Sequence, residues 1–183
     1  MNLDKRVIKQ LEQLVTKGPK QVEAVILNSA QQQGYIVGVP AEAQGPSTSI
    51  TLEAYDRYSV ALRQLEVSHE QSTLPEDSDP VAYLRRCAER AVQRLTYLGE
   101  PLILLELDPA EKLAQLRSDP PRQEGEKLTY WEVFIRATPH LHARLSRYRW
   151  QPDKPEREQI TYPATFATLG RIAQDLALSI IEE

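Results

Sequence analysis

The segment from Thr129 to Trp150 constrains the fold most, because it holds two runs of alternating side chains joined by a short turn. A period of two is typical of β-strands, whose successive side chains point to opposite faces. One face of the predicted hairpin is apolar: Trp131, Val133, Ile135, Leu141, Ala143 and Leu145. The other face is polar and aromatic: Tyr130, Glu132, Phe134, Arg136, His140, His142 and Arg144. We therefore predict an antiparallel hairpin with its apolar face in the core.

The loop of this hairpin fixes the predicted pairing. If both apolar sets share one face, residues of the same parity must pair, which a three-residue loop at 137–139 allows. This register predicts three pairs: Arg136 with His140, Phe134 with His142, and Glu132 with Arg144. Farther along, Arg147 and Arg149 stay in phase with the buried residues, so we expect the strand to bulge or twist out of the core near Ser146.

The N-terminal segment has helical spacing. Apolar residues recur every three or four positions over residues 3–17, which predicts an amphipathic helix ended by Gly18. Pro19 suits the first turn of a second helix, with Gly34 as its C-terminal cap, so the two helices would form a hairpin. The proline-containing stretch 40–48 is typical of a linker, and we predict two units, residues 1–45 and 46–183.

The rest of the chain predicts alternating strands and helices. The expected elements are strands at 49–54 and 58–62, an acidic loop at 76–79, a helix from Asp79 to about Leu98, a buried strand at 102–105, an ambiguous segment at 112–118, a loop at 119–126, a strand at 159–162 and a last helix opened by Pro163. Together these predict an α+β protein with an antiparallel sheet of about five to seven strands, packed by two helices and joined to an N-terminal helical hairpin.

Composition narrows the functional classes. The chain has 183 residues, a net charge of −4 and one cysteine, Cys87. No apolar run approaches the roughly 20 residues of a membrane span, and a single cysteine cannot form an internal disulfide. A negative net charge argues against a generally basic nucleic-acid binder. We expect a cytoplasmic protein, with no cofactor.

Two groups of residues could carry chemistry. His140 and His142 lie on one strand face and could act with Glu132, or with His69, as metal ligands or as an acid and base. Cys87 could be a nucleophile, but it lies on the apolar stripe of its helix, which predicts burial. No motif for nucleotide or acyl chemistry is present, so no catalytic or metal-binding residue is assigned.

Arginines form two further groups. Arg86, Arg90 and Arg94 follow one helix flank, where a solvated face is the simpler interpretation. Arg144, Arg147 and Arg149 alternate with Tyr148 and Trp150, a composition that suits an anionic or aromatic partner. An acidic protein ranks above nucleic acid as that partner, because the chain is negatively charged overall.

Three C-terminal segments resemble uncharacterised proteins of cyanobacteria: Tyr130–Val133, Ala143–Trp150 and Tyr162–Arg171. The resemblance covers about the last third of the chain. It implies a cytoplasmic setting in such cells, and it brings no reaction, cofactor or functional residue.

The favoured function is therefore a non-enzymatic protein-binding or assembly factor. Its predicted binding residues are Phe134, Arg144, Tyr148 and Trp150, because aromatic and arginine side chains anchor many interfaces. The alternatives are a small enzyme that uses His140, His142 and Glu132, and a nucleic-acid module that uses the arginine groups. A competing structural possibility is that the N-terminal hairpin covers Tyr148 and Trp150.

Overall fold

The computed structural model describes residues 2–70 and 79–181. Its helices are α1 (Leu3–Lys17), α2 (Pro80–Arg94) and α3 (Phe166–Ile180), with a short 3-10 turn at Pro19–Val22. Its strands are β1 (Val25–Asn28), β2 (Gln33–Val39), β3 (Ser47–Tyr55), β4 (Ser59–His69), β5 (Leu102–Asp108), β6 (Leu113–Ser118), β7 (Arg122–Glu124), β8 (Lys127–Arg136), β9 (Leu141–Trp150), β10 (Glu158–Ile160) and β11 (Tyr162–Thr165). None of the helices in these ranges has the length and apolar character that a membrane crossing requires.

The predicted α+β class and antiparallel sheet are confirmed. The strands form one eleven-stranded sheet with the order β1-β2-β3-β4-β9-β8-β6-β5, to which β7, β10 and β11 add as short side pairings. The predicted five to seven strands were too few. The prediction missed β1, β2 and β7, and it merged β10 with β11.

All three helices belong to one hydrophobic core on a single face of the sheet. That core joins Leu11 of α1, Cys87 of α2 and Leu176 of α3 to Val133 and Leu145 of the central strands. α1 lies against α3, where the Leu3 amide donates to Gln174 Oε1 at 2.9 Å and Gly170 lies so close to α1 that an added Cβ would sit 2.7 Å from the Asp4 carbonyl. The opposite face of the sheet carries none of these helices.

The predicted second N-terminal helix is wrong, and with it the helical hairpin. α1 ends at Lys17 as expected, but Pro19 opens only a 3-10 turn, and β1 and β2 follow as a strand hairpin. The alternation of buried Val37 and Val39 with more exposed neighbours, in a stretch rich in β-branched residues, is a strand signal. β2 pairs with β3, so residue 45 falls in the loop between two paired strands.

Capping residues set the ends of the other helices. Asp79 caps α2, since its Oδ1 accepts from the Val81 amide at 2.9 Å, and the helix ends at Arg94, before the predicted Leu98. Pro163 does not open the last helix. It lies in β11, and the Thr165 hydroxyl caps α3 by accepting from the Thr168 amide at 3.1 Å. The predicted acidic loop at 76–78 lies outside the described residues.

Candidate functional site

The predicted faces of the β8–β9 hairpin are confirmed, but its predicted register is wrong by two residues. Pairing runs without a shift from Leu128 opposite Trp150 to Arg136 opposite His142. Five residues, 137–141, separate the last β8–β9 pair, Arg136 and His142, so Glu132 lies opposite Ser146 and Phe134 lies opposite Arg144. The parity of the pairs is unchanged, so Glu132 and Arg144 still share the face that points away from the helices.

The centre of that face is a network around a buried carboxylate, which we call the Glu132 cluster: Arg117, Tyr130, Glu132, Tyr148 and Arg157. Glu132 is fully buried, and its Oε1 accepts from Arg117 Nη2 at 2.7 Å and from Arg157 Nη1. Glu132 Oε2 is also buried and has no hydrogen-bond partner. Two cations that share one carboxylate oxygen hold the middle of the sheet face in a fixed arrangement.

Each tyrosine of the Glu132 cluster lies against one of its two arginines. Their rings stack at 6.1 Å, while the guanidinium of Arg117 lies 4.9 Å from the Tyr130 ring and that of Arg157 lies 4.1 Å from the Tyr148 ring. Burial disfavours the charged form of Arg157, but its hydrogen bonds to Glu132 and Tyr130 outweigh burial and raise its pKa above the ordinary value. The contacts of the Tyr148 ring are therefore with other residues of the chain. Tyr148 is part of the rigid layer of side chains that the Glu132 cluster forms, which we call the rigid floor.

Arg144 differs from the other arginines of the sheet. Its guanidinium lies 5.2 Å from the Phe134 ring, a cation–π pair across the two strands. Among the strand arginines of the described residues, Arg144 alone forms no ion pair with a carboxylate. The others pair within the chain: Arg63 with Glu53, Arg117 with Glu132, Arg122 with Glu124, Arg136 with Glu111, Arg147 with Glu100 and Arg149 with Glu158.

An apolar cleft lies at the end of the same face. It has a volume of about 420 Å³, and we call it the Trp150 cleft. Ile103 and Leu105 of β5 form one side, Leu128 and Trp150 form the other, and Arg117 and Tyr130 lie at its base. Ile103, Leu105 and Trp150 are 40%, 47% and 40% exposed, which is unusual for large apolar side chains that lie together.

Sequence reasoning found Trp150 and missed Ile103 and Leu105. The run 102–105 was expected to be a buried strand, but β5 is the last strand of the sheet, and its register shifts between Leu104 and Glu106. Leu105 is the extra residue at this bulge. Four consecutive apolar residues give no sign of an edge position, which depends on the order of strands in the sheet.

The residues of the alternative enzyme do not come together. The rings of His140 and His142 are 6.0 Å apart, but Glu132 lies about 13 Å along the strands from His142 at ordinary strand rise. Burial lowers the pKa of His142, against the opposing effects of the His140 carbonyl and Glu66. Within the described residues, no group of three His, Cys, Asp or Glu side chains is placed to hold a metal ion.

The arginine groups of the alternative nucleic-acid module are largely engaged inside the chain. Arg90 donates to the Ser179 carbonyl at 2.9 Å, and Arg147 forms a buried bidentate pair with Glu100.

The expected bulge near Ser146 is absent, because burying Arg147 against Glu100 lets β9 continue in phase. The strand that pairs with β9 does change at this point: β4 pairs with β9 up to Ser146, and β10 pairs with β9 from Arg147 onward. Cys87 is fully buried, as its phase predicted.

The competing possibility, in which the N-terminal segment covers Tyr148 and Trp150, does not hold in the structure. α1 packs on α3, on the opposite side of the sheet, and Trp150 stays exposed.

Comparisons of the chain with family models, curated proteins and solved structures find no match. On the face of the sheet that points away from the helices, the features that support a function are the Trp150 cleft, the Phe134–Arg144 pair and the rigid floor between them.

Proposed function

We propose that this protein is a non-enzymatic binding or assembly factor that binds another protein through the open face of its sheet. The observation that carries the proposal is the convergence of Ile103, Leu105 and Trp150 on one apolar cleft. Exposed apolar side chains grouped around a concave site mark an interaction surface more often than a solvated one. Trp150 is the expected anchor, since tryptophan is enriched among residues that dominate interface energies.

The chemistry of the face indicates the kind of partner. Apolar side chains of the partner would enter the Trp150 cleft, and an acidic side chain would meet the unpaired guanidinium of Arg144 on Phe134. Arg144 and Trp150 are six residues apart on one strand, which spans about 20 Å, the scale of an ordinary protein interface. Tyr148 contributes through the Glu132 cluster, which keeps the surface between the anchors rigid and so limits the entropy lost on binding.

The proposal also includes the setting. A single buried cysteine suits a reducing compartment, and the resemblance to cyanobacterial proteins points to the cytoplasm.

Site-specific photo-crosslinking tests the proposal. A photoreactive phenylalanine analogue is placed at Leu105, in the wall of the cleft, or at the exposed Tyr58 between β3 and β4 as the matched control. We expect the Leu105 probe to crosslink a protein of the native lysate that the Tyr58 probe does not. Excess unmodified chain should compete for this product, whereas excess Trp150→Ala chain should not. Equal crosslinking from both positions, or equal competition by both chains, would rule out the cleft as the binding site.

A further inference from the structure

A second surface lies at the far edge of the sheet from the Trp150 cleft. β1 is the terminal strand and pairs only with β2, without a register shift. Val25 and Ile26 are 57% and 53% exposed. Since successive strand residues point to opposite faces, both faces of β1 are uncovered. Within the described ranges, no backbone hydrogen bond joins Val25–Asn28 to anything but β2, so the outward amides and carbonyls lack a protein partner.

Apart from its short length, this edge has none of the features that usually prevent strand pairing. Residues 24–41 contain no charged side chain, and the turn that joins β1 to β2 is held by the Ser29 amide donating to the Gln32 carbonyl at 3.0 Å. Charges, prolines and bulges normally protect an edge strand from other strands. The opposite edge is protected in this way: β5 carries a bulge, Glu106 and Asp108, and α2 packs against it.

We propose that β1 pairs with β1 of a second copy of this chain, antiparallel and about a two-fold axis. A two-fold axis centred on Ile26 places this residue opposite its own copy. Val25 then lies opposite the partner's Leu27. This register opposes apolar side chains at every one of these positions and brings no like charges together. The pairing is closed, because each copy uses the same strand for it, and the opposite edge of the main strand order, β5, is protected.

The size of the interface sets its strength. Four residues of strand bury far less than the roughly 800 Å² per partner of a stable complex, so the dimer should depend on protein concentration. Sedimentation velocity of the full chain should show the 20.8 kDa monomer at low concentration and twice that mass at high concentration. Ile26→Lys should remove the dimer, and Tyr58→Lys, at an exposed site away from β1, should leave it unchanged. A chain that stays monomeric, or one whose mass grows beyond the dimer, would overturn the proposal.

Disulfide trapping tests the register with variants that keep the fold. Directly opposed residues have Cβ atoms about 4.5–5.5 Å apart, close enough for a disulfide after a small adjustment. Ile26→Cys should therefore form a covalent dimer on mild oxidation. Val25→Cys, equally exposed but opposite Leu27 of the second copy, should not, and the native Cys87 is buried. Equal crosslinking of both variants, or none with Ile26→Cys, would contradict the two-fold pairing.

Discussion

Replacing Arg147 with methionine is expected to lower the free energy of unfolding by about 3–5 kcal/mol, because it leaves the carboxylate of Glu100 buried without its cation. The two side chains are only 7% and 10% exposed. Arg147 donates two hydrogen bonds to Glu100, at 2.8 and 2.9 Å, and a third to Thr129 Oγ1 at 3.0 Å. Its guanidinium also lies close to the rings of Trp131 and Tyr162, at 5.0 and 5.7 Å from their centroids.

Urea denaturation measures this cost, and a double variant provides the control. In Glu100→Leu with Arg147→Met, no unpaired charge remains, and buried ion pairs can often be replaced by apolar residues at little cost. The double variant should therefore recover most of the stability lost in the single one. A single variant within about 1 kcal/mol of the native protein, or a double variant as unstable as the single one, would show that the pair is not the reason Arg147 is buried.

Replacing Gly34 with alanine is expected to cost about 2–5 kcal/mol, because strain and steric overlap add at this position. Gly34 has a φ of +136°, which side chains with a Cβ rarely adopt. An added Cβ would lie 2.1 Å from the Leu52 carbonyl oxygen, which is backbone of the paired strand β3 and cannot rotate away. β2 would have to move away from β3, and β1 would move with it.

Gly38 is the matched control, since it lies on the same strand and an added Cβ there would meet no atom within 4 Å. Gly38→Ala should be neutral or slightly stabilising, because glycine weakens a strand through its backbone entropy. Thermal unfolding of both variants separates the steric effect at Gly34 from the general effect of replacing a strand glycine with alanine. Equal melting temperatures for the two would mean that β2 and β3 are not held as closely as Gly34 indicates.

Sequence patterns predicted an element correctly where a single local rule, such as helical spacing or an N-cap residue, was enough to determine it. The amphipathic spacing of α1, the cap at Asp79 and the buried phase of Cys87 needed only neighbouring residues. The second N-terminal helix failed because Pro19 and Gly34 also suit a 3-10 turn and a strand that approaches another backbone. The hairpin parity was correct because it follows from alternation alone, whereas the register depended on how many residues the turn takes up.

The candidate site could be predicted only in part, because it depends on the order of the strands. Trp150 was found from composition, and it does lie on the open face. Ile103 and Leu105 look like core residues until β5 is known to be an edge strand. Tyr148 was expected on the surface, but Arg157 covers it from a loop that no local pattern places there. The burial of Glu132, with Arg117 and Arg157 bound to one of its oxygens, could not be predicted either, because these three residues are distant from one another in the sequence.

Protein binding at the Trp150 cleft is tested most directly by titrating the crosslinked partner, once purified, with the native chain and with Trp150→Ala. Truncation of a central anchor costs about 2 kcal/mol or more, so the dissociation constant should rise by about 30-fold or more. The melting temperature should change little, because Trp150 is 40% exposed, and Tyr58→Ala should leave the affinity unchanged. An affinity for Trp150→Ala equal to that of the native chain would contradict the assignment of this cleft as the binding site.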